Sequence, residues 1–554
     1  MDSRVGQAAA SQGQRRERMG LVVAASAAGT IFEWYDFFIF GSLASIIATH
    51  FFTGVSESTG FILALLTFAA GFFVRPFGAL FFGRIGDRVG RKRAFLITMT
   101  IMGVATVGVG FLGDTKQWGI WAPFALVALR VLQGFAIGGE YGGAAIYVAE
   151  HAAPNRRGSA TGWIQASASF GLFLALAVVF FVRRGLGEDL FLSWGWRVPF
   201  LLSALLLAIS LWIRMRLNES PLFLRMQEED RMSDAPIAES FFRWDNLKIV
   251  LIALIGLLMG QGVVWYTAQF YTQFFLERVI KVEPLVVYSL MMTISVVGAL
   301  LHVVFAWLSD KVGRKPIMLL GLGLAVLCFF PGFRMLTEAA NPALARATAR
   351  APIVVTANPA HCALQFDLIG KAKFTSACDI AKSALANAGV PYRNEETGAA
   401  GATVKLGDTV LVSPEGSSLA PKDLAAAKAK FQTSLKKALV TAGYPASANS
   451  ASIDFPRTLL ILLVFVTAAA ALYGPQAAAL VELFPTRIRY TALSVPYHIG
   501  VGWFGGFLPA TAFAIVAATG DIYAGLWYPV IVSAFGFVVT FLLLPETYRR
   551  KIDG

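Results

Sequence analysis

The chain has 554 residues, of which 56% are hydrophobic and only 15% are charged, so it is far more apolar than an average soluble protein. Its formal net charge of +13 arises from 47 Lys and Arg residues against 34 Asp and Glu residues. Because these cations cluster in short loops between apolar runs, they indicate orientation in a membrane, and nucleic-acid binding is not expected. The three Cys residues lack the spacing of metal ligands, so no metal site is predicted.

Apolar runs long enough to cross a bilayer predict an all-α integral membrane protein with twelve transmembrane helices. In the first half the helices are predicted at residues 20–48, 58–82, 94–113, 119–149, 158–182 and 196–214. In the second half they are predicted at residues 247–277, 285–308, 316–336, 458–483, 490–517 and 526–544. The first run carries Glu33 and Asp36, which argues against a cleavable signal peptide.

A Gly-rich basic loop joins the second and third predicted helices, and a weaker copy joins the eighth and ninth. The first copy runs from Gly83 to Arg93 and the second from Ala306 to Lys315. Their Gly residues allow a tight reversal, their cations hold the loop in the cytoplasm, and their Asp can pair with a helix end. We expect both loops to hold an outward-open conformation. The residues expected to do so are Asp87, Arg88, Arg91, Asp310 and Arg314.

A second repeated motif follows the fourth and the tenth predicted helices. In each copy a Glu lies seven residues before an Arg with a Pro between them, as Glu150 and Arg157 and as Glu482 and Arg489. These echoes predict two pseudo-symmetric six-helix bundles, as in secondary transporters. Asp87 and Asp310 are 223 residues apart, whereas Glu150 and Glu482 are 332 apart, so 109 extra residues (332 minus 223) lie between the ninth and tenth helices.

The predicted domains follow from these repeats. They are an N-terminal bundle at 1–214, a cytoplasmic linker at 215–246, helices seven to nine at 247–336, an insertion at 337–456, and helices ten to twelve with the tail at 457–554. The basic clusters fall on one side of this arrangement, so both termini are expected in the cytoplasm and the insertion in the periplasm.

The insertion is predicted to be a small extracytoplasmic α/β-like domain. Its predicted strands are Pro352–Thr356 and Val404–Val412, and its predicted helices are Thr375–Ala388 and Pro421–Ala442. Cys362 and Cys378 both lie in it, so an oxidising compartment could join them in a disulfide, and two unpaired thiols are the alternative. No catalytic chemistry is evident in this segment.

Two carboxylates, Glu33 and Asp36, share one face of the first helix near mid-membrane. Ionised carboxylates there are costly, so they should face the protein interior, where desolvation and mutual repulsion raise their proton affinity. They are therefore candidates for proton coupling, with Asp36 favoured. The alternative is a structural pair bound to Arg residues of neighbouring helices.

Two arginines lie within predicted helices and could bind an anion. Arg75, in the second helix, could dock a carboxylate or could extend its side chain to the cytoplasmic surface. Arg130, in the fourth helix, shares a face with Gln133 and lies too deep to reach the surface, so it needs an anionic partner. The candidate partners are Glu33, Asp36, Glu140 and the substrate.

The seventh helix carries Gln261, Trp265 and Gln269 at intervals of four, with Tyr266 adjacent. This stripe could line a cavity or could make ordinary helix–helix hydrogen bonds. Two histidines, His302 and His498, also fall within predicted helices, where a lone His is more often a packing residue.

Four stretches carry a resemblance to a known family. They are Glu33-Trp34-Tyr35-Asp36-Phe37-Phe38, Arg75-Pro76-Phe77-Gly78, Gly138-Gly139-Glu140-Tyr141-Gly142-Gly143 and Glu482-Leu483-Phe484-Pro485-Thr486-Arg487-Ile488-Arg489-Tyr490. With the two basic loops they resemble the metabolite:proton symporter family of the major facilitator superfamily, which includes bacterial carriers of citrate, 2-oxoglutarate, shikimate and proline/betaine. The resemblance covers nearly all of the chain except the insertion. It implies the major facilitator fold and uptake of a small carboxylate or zwitterion driven by protons.

The expected mechanism is a rocking carrier whose substrate binds near mid-membrane between the two halves. The candidate substrate-binding residues are Arg75, Arg130, Gln133, Tyr266, Gln269 and His498, and the candidate proton-coupling residues are Glu33, Asp36 and Glu140. The coupling ion is a proton and no cofactor is expected.

The chain is expected to be a lipid-embedded monomer of a bacterial inner membrane that binds one small-molecule substrate and is not an enzyme. A carrier of a zwitterionic osmolyte such as proline or betaine, a non-transporting metabolite receptor, and a membrane-tethered enzyme built on the insertion are the alternatives. Which metabolite is carried does not follow from the sequence.

Overall fold

The computed structural model of the chain describes residues 27–550, apart from residues 56, 90, 140, 154, 216–235, 363–374, 399–400, 486–487 and 549. This part is mainly helical and contains a single four-stranded sheet. In the first half the helices are Ala27–Ser42 with Ala44–Phe51, Glu57–Phe73 with Arg75–Val89, Arg91–Gly110, Trp121–Ile137 with Tyr141–His151, Arg157–Leu186 and Val198–Met215. In the second half they are Trp244–Val279, Pro284–Val312, Arg314–Ala340, Phe455–Tyr473 with Gln476–Leu483, Arg489–Tyr497 with Leu508–Thr519, and Trp527–Leu543.

These helices account for the twelve predicted spans. Within the described residues, nine helices are long and apolar enough to cross a membrane, and the first pair, bent by 57°, makes a tenth. Two shorter apolar helices, Leu96–Gly110 and Trp121–Ile137, occupy the third and fourth positions. We number the spans 1 to 12 in chain order. The end that carries Asp310 and Arg314 is called the loop end, and the opposite end, where residues 342–454 follow span 9, is called the insertion end.

Several spans that were predicted to be continuous are interrupted, among them spans 4, 7 and 11. Span 4 turns at Gly138 and Gly139, span 7 contains three π-helical segments, and span 11 is π-helical over His498–Gly505. A hydrophobic run has the same length whether or not one turn holds an extra residue, so the sequence pattern does not show these breaks. π-helical turns are often found at functional sites.

The helices extend further into the basic loops than their predicted bounds at residues 82, 94, 308 and 316. The helix Arg75–Val89 continues through the first loop, and the next helix begins at Arg91. In the second loop the helix ends at Val312, Gly313 reverses the chain with a φ of +106°, and span 9 begins at Arg314. Glycine tolerates this φ because it has no Cβ.

The insertion is an α/β domain, as predicted. Its strands are β1 (Ile353–Ala357), β2 (Arg393–Glu396), β3 (Ala402–Leu406) and β4 (Thr409–Ser413), in the sheet order β2-β1-β3-β4. β1 is parallel to β2, and β3 is antiparallel to both β1 and β4. The prediction of one strand over Val404–Val412 was wrong, because Gly407 and Asp408 form a turn that divides it into a hairpin.

The helices Ala377–Ala388 and Pro421–Thr441 cover this sheet, and both were predicted. Alternate residues of β1 are buried against them, as expected for a sheet with one covered face. Cys362 and Cys378 form a disulfide, with their Cα atoms 5.3 Å apart.

Large apolar side chains remain exposed along the outer faces of the spans. Phe111, Trp121, Phe181 and Leu327 are each about 70% exposed. Such a surface is unfavourable in water and suits contact with lipid.

Candidate functional site

Spans 2 and 4 cross at very close range, and the crossing places two arginines near each other. A Cβ on Gly134 would lie 1.8 Å from the carbonyl oxygen of Gly71, so only glycine permits this approach. Arg75 and Arg130 lie beside the crossing, each only 1% exposed, and their charges are close enough to repel each other. The small residues of span 4 thus allow the close packing that the sequence predicted.

Aromatic rings surround both guanidinium groups. The guanidinium carbon of Arg75 lies 4.2 Å from the ring centre of Phe37 and 4.1 Å from that of Phe72. The guanidinium of Arg130 lies over the rings of Phe37 at 4.6 Å, Phe40 at 4.4 Å and Phe68 at 5.2 Å. A desolvated cation–ring contact stabilises by roughly 2 kcal/mol, so the rings offset part of the cost of burying these charges.

Arg130 makes its polar contacts with neutral groups. It donates to the side-chain oxygen of Gln133, which confirms that the two share a face, and to the carbonyl of Phe68 at 3.5 Å. Among the described residues its Nε has no hydrogen-bond partner and no carboxylate lies within ion-pair distance. Of its candidate partners, Glu33 and Asp36 are therefore not paired with it, and Glu140 lies outside the described residues.

The carboxylates of span 1 face the interior, as predicted. Glu33 is 8% and Asp36 is 4% exposed, and Asp36 Oδ1 has no hydrogen-bond partner among the described residues. The side-chain amide of Gln133 donates to the backbone carbonyl of Asp36 at 2.8 Å and to the Thr106 hydroxyl at 2.7 Å. Gln133 therefore joins span 4 to spans 1 and 3 beside the arginines.

The stripe on span 7 faces the other half of the molecule. Trp265 stacks on Phe38 of span 1 with ring centres 5.2 Å apart, and Tyr266 meets Phe72 of span 2 edge to face at 5.3 Å. Gln269 is 1% exposed, and neither its amide nitrogen nor its oxygen has a partner among the described residues. Ordinary helix–helix hydrogen bonding therefore does not explain Gln269.

The two membrane histidines differ. His302 donates a hydrogen bond from Nδ1 to the carbonyl of Gly298 and packs against the ring of Tyr473, so it acts as a packing residue. His498 is buried in the π-helical part of span 11 near the backbone of Gly138, and neither ring nitrogen has a hydrogen bond of normal geometry among the described residues.

The phenylalanines of this site were not predicted from the sequence. Phe37 and Phe40 follow Glu33 and Asp36 at the spacing of one helix face, and this spacing was the available signal. A phenylalanine-rich face was hard to distinguish from a face turned to lipid, because both are apolar.

A second polar cluster joins the two halves at the loop end. Asp310 accepts hydrogen bonds from the backbone N–H groups of Gly158 at 2.8 Å and Ser159 at 2.7 Å, at the start of span 5. The same carboxylate pairs with Arg314 at 2.7 Å. Asp310 thus binds the positive end of a helix from the other half.

The repeated Glu and Arg motifs pair across the halves. Glu150 of the first half binds Arg489 of the second at 2.9 Å. Glu482 of the second half binds Arg314 at 3.1 Å and lies 3.7 Å from Arg157 of the first. The Glu of each motif thus lies beside an Arg of the other motif. In the first basic loop, the side chains of Asp87, Arg88 and Arg91 lie outside the described part of the chain, so their predicted role stays a prediction.

Within the described residues, no group of three or more His, Cys, Asp or Glu side chains is placed to hold a metal ion. The buried groups of the site can instead bind a small polar solute between two helical bundles.

Comparison with known proteins agrees with this class of molecule. The family profile described as sugar (and other) transporter matches residues 21–240 and 225–357, together more than half of the chain. The chain belongs to this family of membrane transporters. It is therefore a multi-pass membrane transporter and not an enzyme, and no cofactor is expected for it.

Bacterial metabolite carriers are among its relatives. The shikimate transporter of Escherichia coli K12 is 35% identical over 317 residues, covering 56% of this chain and 71% of the relative. The glycine betaine/proline/ectoine/pipecolic acid transporter of Dickeya dadantii is 27% identical over 550 residues, covering 97% and 85%. An inner membrane metabolite transport protein of Escherichia coli K12 is 33% identical over 331 residues, covering 58% and 74%. The predicted resemblance to metabolite carriers is confirmed.

Solved structures confirm the major facilitator fold. A proton:xylose symporter bound to 6-bromo-6-deoxy-D-glucose aligns with a TM-score of 0.63 at 16% identity, over 97% of this chain and 98% of that one. A partially occluded, inward-open xylose transporter from Escherichia coli gives 0.60 at 15% identity, over 96% and 98%. At such low identity the likeness shows the fold alone.

Proposed function

We propose that the chain is a proton-coupled symporter that imports a small organic carboxylate across the bacterial inner membrane by alternating access. The observation that carries this proposal is the buried guanidinium of Arg130, which rests on aromatic rings and has no carboxylate beside it among the described residues. An unpaired buried cation is strongly destabilising, and ring contacts offset only part of that cost. A bound carboxylate supplies the missing anion, and its two oxygens match the fork of the guanidinium.

Polar atoms of the second half are available to orient this anion. The amide of Gln269 has no hydrogen-bond partner among the described residues, and the ring nitrogens of His498 have no hydrogen bond of normal geometry among them. The hydroxyl of Tyr266 interacts electrostatically with Arg75 and Arg130. Donors from one half and cations from the other can thus bind a single small solute, which couples its binding to the approach of the two halves.

The proton is assigned to Asp36, with Glu33 and Glu140 as the other predicted acceptors. Asp36 is buried, one of its oxygens has no partner in the described structure, and its backbone carbonyl is linked through Gln133 to Arg130. Protonation of a carboxylate so close to the anion site changes the charge that the substrate meets. This linkage supports coupling between proton and solute.

Contacts between the halves exist at both ends of the molecule. At the loop end they are ion pairs, whereas at the insertion end Arg278 donates to the Ser45 hydroxyl at 3.0 Å and Phe61 packs against Phe274 and Phe513. In the proposed cycle the two sets separate in turn, and the loop-end contacts hold the outward-open conformation. The clustering of cations at the loop end supports its placement in the cytoplasm and the insertion's in the periplasm.

An uptake panel tests this function. Purified protein in proteoliposomes is given an inward proton gradient and radiolabelled shikimate, citrate, 2-oxoglutarate, proline or glycine betaine. We expect at least one carboxylate to accumulate and a protonophore to abolish its accumulation. Empty liposomes and a protein carrying Arg130→Gln are the controls. Binding without flux for every solute would instead support a receptor, and accumulation that is insensitive to the protonophore would contradict proton coupling.

A zwitterionic osmolyte is the second candidate. The rings of Phe37, Phe40, Phe68 and Phe72 form an aromatic cluster of the kind that binds quaternary ammonium groups. The two arginines that already lie on these rings weigh against a second cation there. Preference for glycine betaine over every carboxylate in the uptake panel would favour this candidate.

A further inference from the structure

The insertion encloses a cavity together with both halves of the transporter. The cavity measures about 430 Å³ and lies at the insertion end, between the insertion and spans 2, 7 and 11. Its walls include Phe61 of span 2, Glu277 and Arg278 of span 7, Phe513 of span 11, and Ala386 and Tyr392 of the insertion. This volume falls in the range of sites that bind small metabolites.

All of the hydrogen bonds that dock the insertion, among those between described residues, go to the second half. The backbone N–H of Tyr392 donates to Gly520 at 3.1 Å, and the side chain of Asn394 donates to Thr519 at 2.7 Å, both at the end of span 11. The ammonium of Lys281, just after span 7, donates to the carbonyl of Ala388 at the end of an insertion helix. A cation at this position is favourable because the last carbonyls of a helix carry partial negative charge.

Lys281 fits the insertion closely. Its φ of +62° is unusual for a residue with a side chain, and its own carbonyl accepts from the backbone N–H of Ala448 at 3.0 Å. A Cβ on Gly389 would lie 2.8 Å from the Lys281 side chain, so glycine is required there. Strained residues of this kind are often found where a precise local arrangement is needed.

The first half meets the insertion differently. Phe61 and Ile62 of span 2 supply apolar walls to the cavity. The insertion is thus hydrogen-bonded to one half, while its helix Ala377–Ala388 packs beside span 2 of the other, so the cavity lies where the halves would part at this end.

Two features of the cavity point to an anionic ligand. Among the described residues that line it, the charged side chains are those of Glu277, Arg278 and Lys281, two cations and one carboxylate. Tyr392 is 95% buried, lines the cavity, and its hydroxyl has no hydrogen-bond partner among the described residues. An unpartnered buried hydroxyl costs roughly 1–3 kcal/mol, which a hydrogen-bonded ligand would remove.

We infer that the insertion builds a second, outer binding site for a small organic carboxylate, between Tyr392 and Arg278, through which the solute passes on its way to the central arginines. The carboxylate accepts from the Tyr392 hydroxyl and the Arg278 guanidinium, while the rings of Phe61 and Phe513 contact its apolar part. The inference takes its ligand class from the proposed function, but the site itself is separate from Arg75 and Arg130.

The test counts binding sites on the purified full-length protein. Equilibrium dialysis uses radiolabelled shikimate and 2-oxoglutarate as probes, with unaltered protein, Arg130→Gln, Arg278→Gln and Ala386→Trp. We expect about two molecules bound per chain in the unaltered protein and about one in each variant. Ala386→Trp fills the cavity and leaves Arg278 with its Ser45 contact intact, so it controls for any effect of Arg278 on the packing of the halves. Arg346→Gln, on an exposed face of the insertion, is the matched control and should retain two.

Uptake measurements give a second readout. Tyr392→Phe removes a hydroxyl that bonds to no described residue, so folding should be preserved while the KM for uptake rises about 3- to 10-fold at nearly constant kcat. The outer site alone would be overturned if the unaltered protein bound one molecule, if Arg130→Gln lost it, and if Arg278→Gln and Ala386→Trp both retained it. Absence of binding for both probes in the unaltered protein would overturn the carboxylate assignment of both sites. Two sites with unchanged KM in Tyr392→Phe would remove Tyr392 from the outer one.

Discussion

Two regions of this molecule bury arginines, and they neutralise them in opposite ways. At the loop end, Arg314 lies 3.1 Å from Glu482, and Arg489 lies 2.9 Å from Glu150. In the centre, Arg130 is equally buried but rests on phenylalanine rings, with no carboxylate in ion-pair range among the described residues.

This difference shows what each region is suited to do. A carboxylate bound to a guanidinium occupies its N–H edge, so the loop-end pairs leave no room for a ligand, and the pair of Glu150 with Arg489 joins the two halves. An aromatic ring below a guanidinium contacts the flat face of that group. The N–H edge of the guanidinium then stays able to bind an anion. The loop end is therefore built to close, and the centre is built to receive a solute.

Removing the shared carboxylate of the loop end should have the largest effect. Glu482→Gln removes the carboxylate that lies 3.7 Å from Arg157 of the first half and leaves Arg314 with less compensation in a buried site, so closure of the loop end should weaken by about 3–5 kcal/mol. A reporter cysteine, Gly83→Cys, lies buried beside Tyr490 of the other half with room for its Cβ. Its labelling by a maleimide in inside-out vesicles should accelerate more than 100-fold.

The matched control for this change is Glu338→Gln. Glu338 pairs with Arg457 at 2.8 Å, but both side chains are about half exposed, so the pair should contribute less than about 1 kcal/mol. Equal labelling rates in Glu482→Gln and Glu338→Gln would show that the buried pairs do not hold the loop end closed.

Arg130→Gln tests the central region and should reduce uptake efficiency about 100-fold, because the substrate carboxylate loses a charge-assisted, two-point contact. The measurement is the initial rate of proton-driven uptake at several concentrations of the solute identified in the panel. Arg130→Lys keeps the positive charge but lacks the planar fork of the guanidinium. Its uptake efficiency should therefore lie between that of the unaltered protein and that of Arg130→Gln. Unchanged uptake in both variants would remove Arg130 from substrate binding.

Asp36→Asn should separate binding from coupling. Because the amide cannot take up a proton, accumulation should fall at least tenfold to the external concentration, while solute exchange across liposomes without a gradient stays within about threefold. Both quantities are measured on the same preparation. Full accumulation in Asp36→Asn would assign coupling to another group, with Glu33→Gln as the next variant.

Gly313→Ala should have the smallest effect, about 1–2 kcal/mol on thermal unfolding in detergent. An alanine would be strained at a φ of +106°, and its Cβ would lie 2.5 Å from Glu546 Oε2. Gly185→Ala is the control, since it lies near the end of a helix with nothing within 4 Å of its Cβ, and it should be neutral or slightly stabilising. Equal unfolding temperatures would show that this turn tolerates a side chain.

Part of the site could be predicted because it depends on local chemistry. Asp36 and Arg130 stood out as charges within apolar runs, and a buried charge must face the interior whatever the packing around it. The pairing of Arg130 could not be predicted. Four candidate anions were open to it, and the close crossing at Gly71 and Gly134 determines that rings surround it instead.

The sequence by itself indicated the number of spans and the two-fold repeat, through the length of its apolar runs and its repeated motifs, and the distribution of its cations predicts the direction of the spans. Only the tertiary structure decided that Glu150 pairs with Arg489 across the halves and that Glu482 pairs with Arg314 within the second half, since these partners lie 339 and 168 residues apart in the sequence and meet only in the folded chain. The tertiary structure also placed the insertion beside the ends of spans 2, 7 and 11, around a cavity. Local periodicity describes each helix alone, whereas a site between two bundles depends on how they pack together.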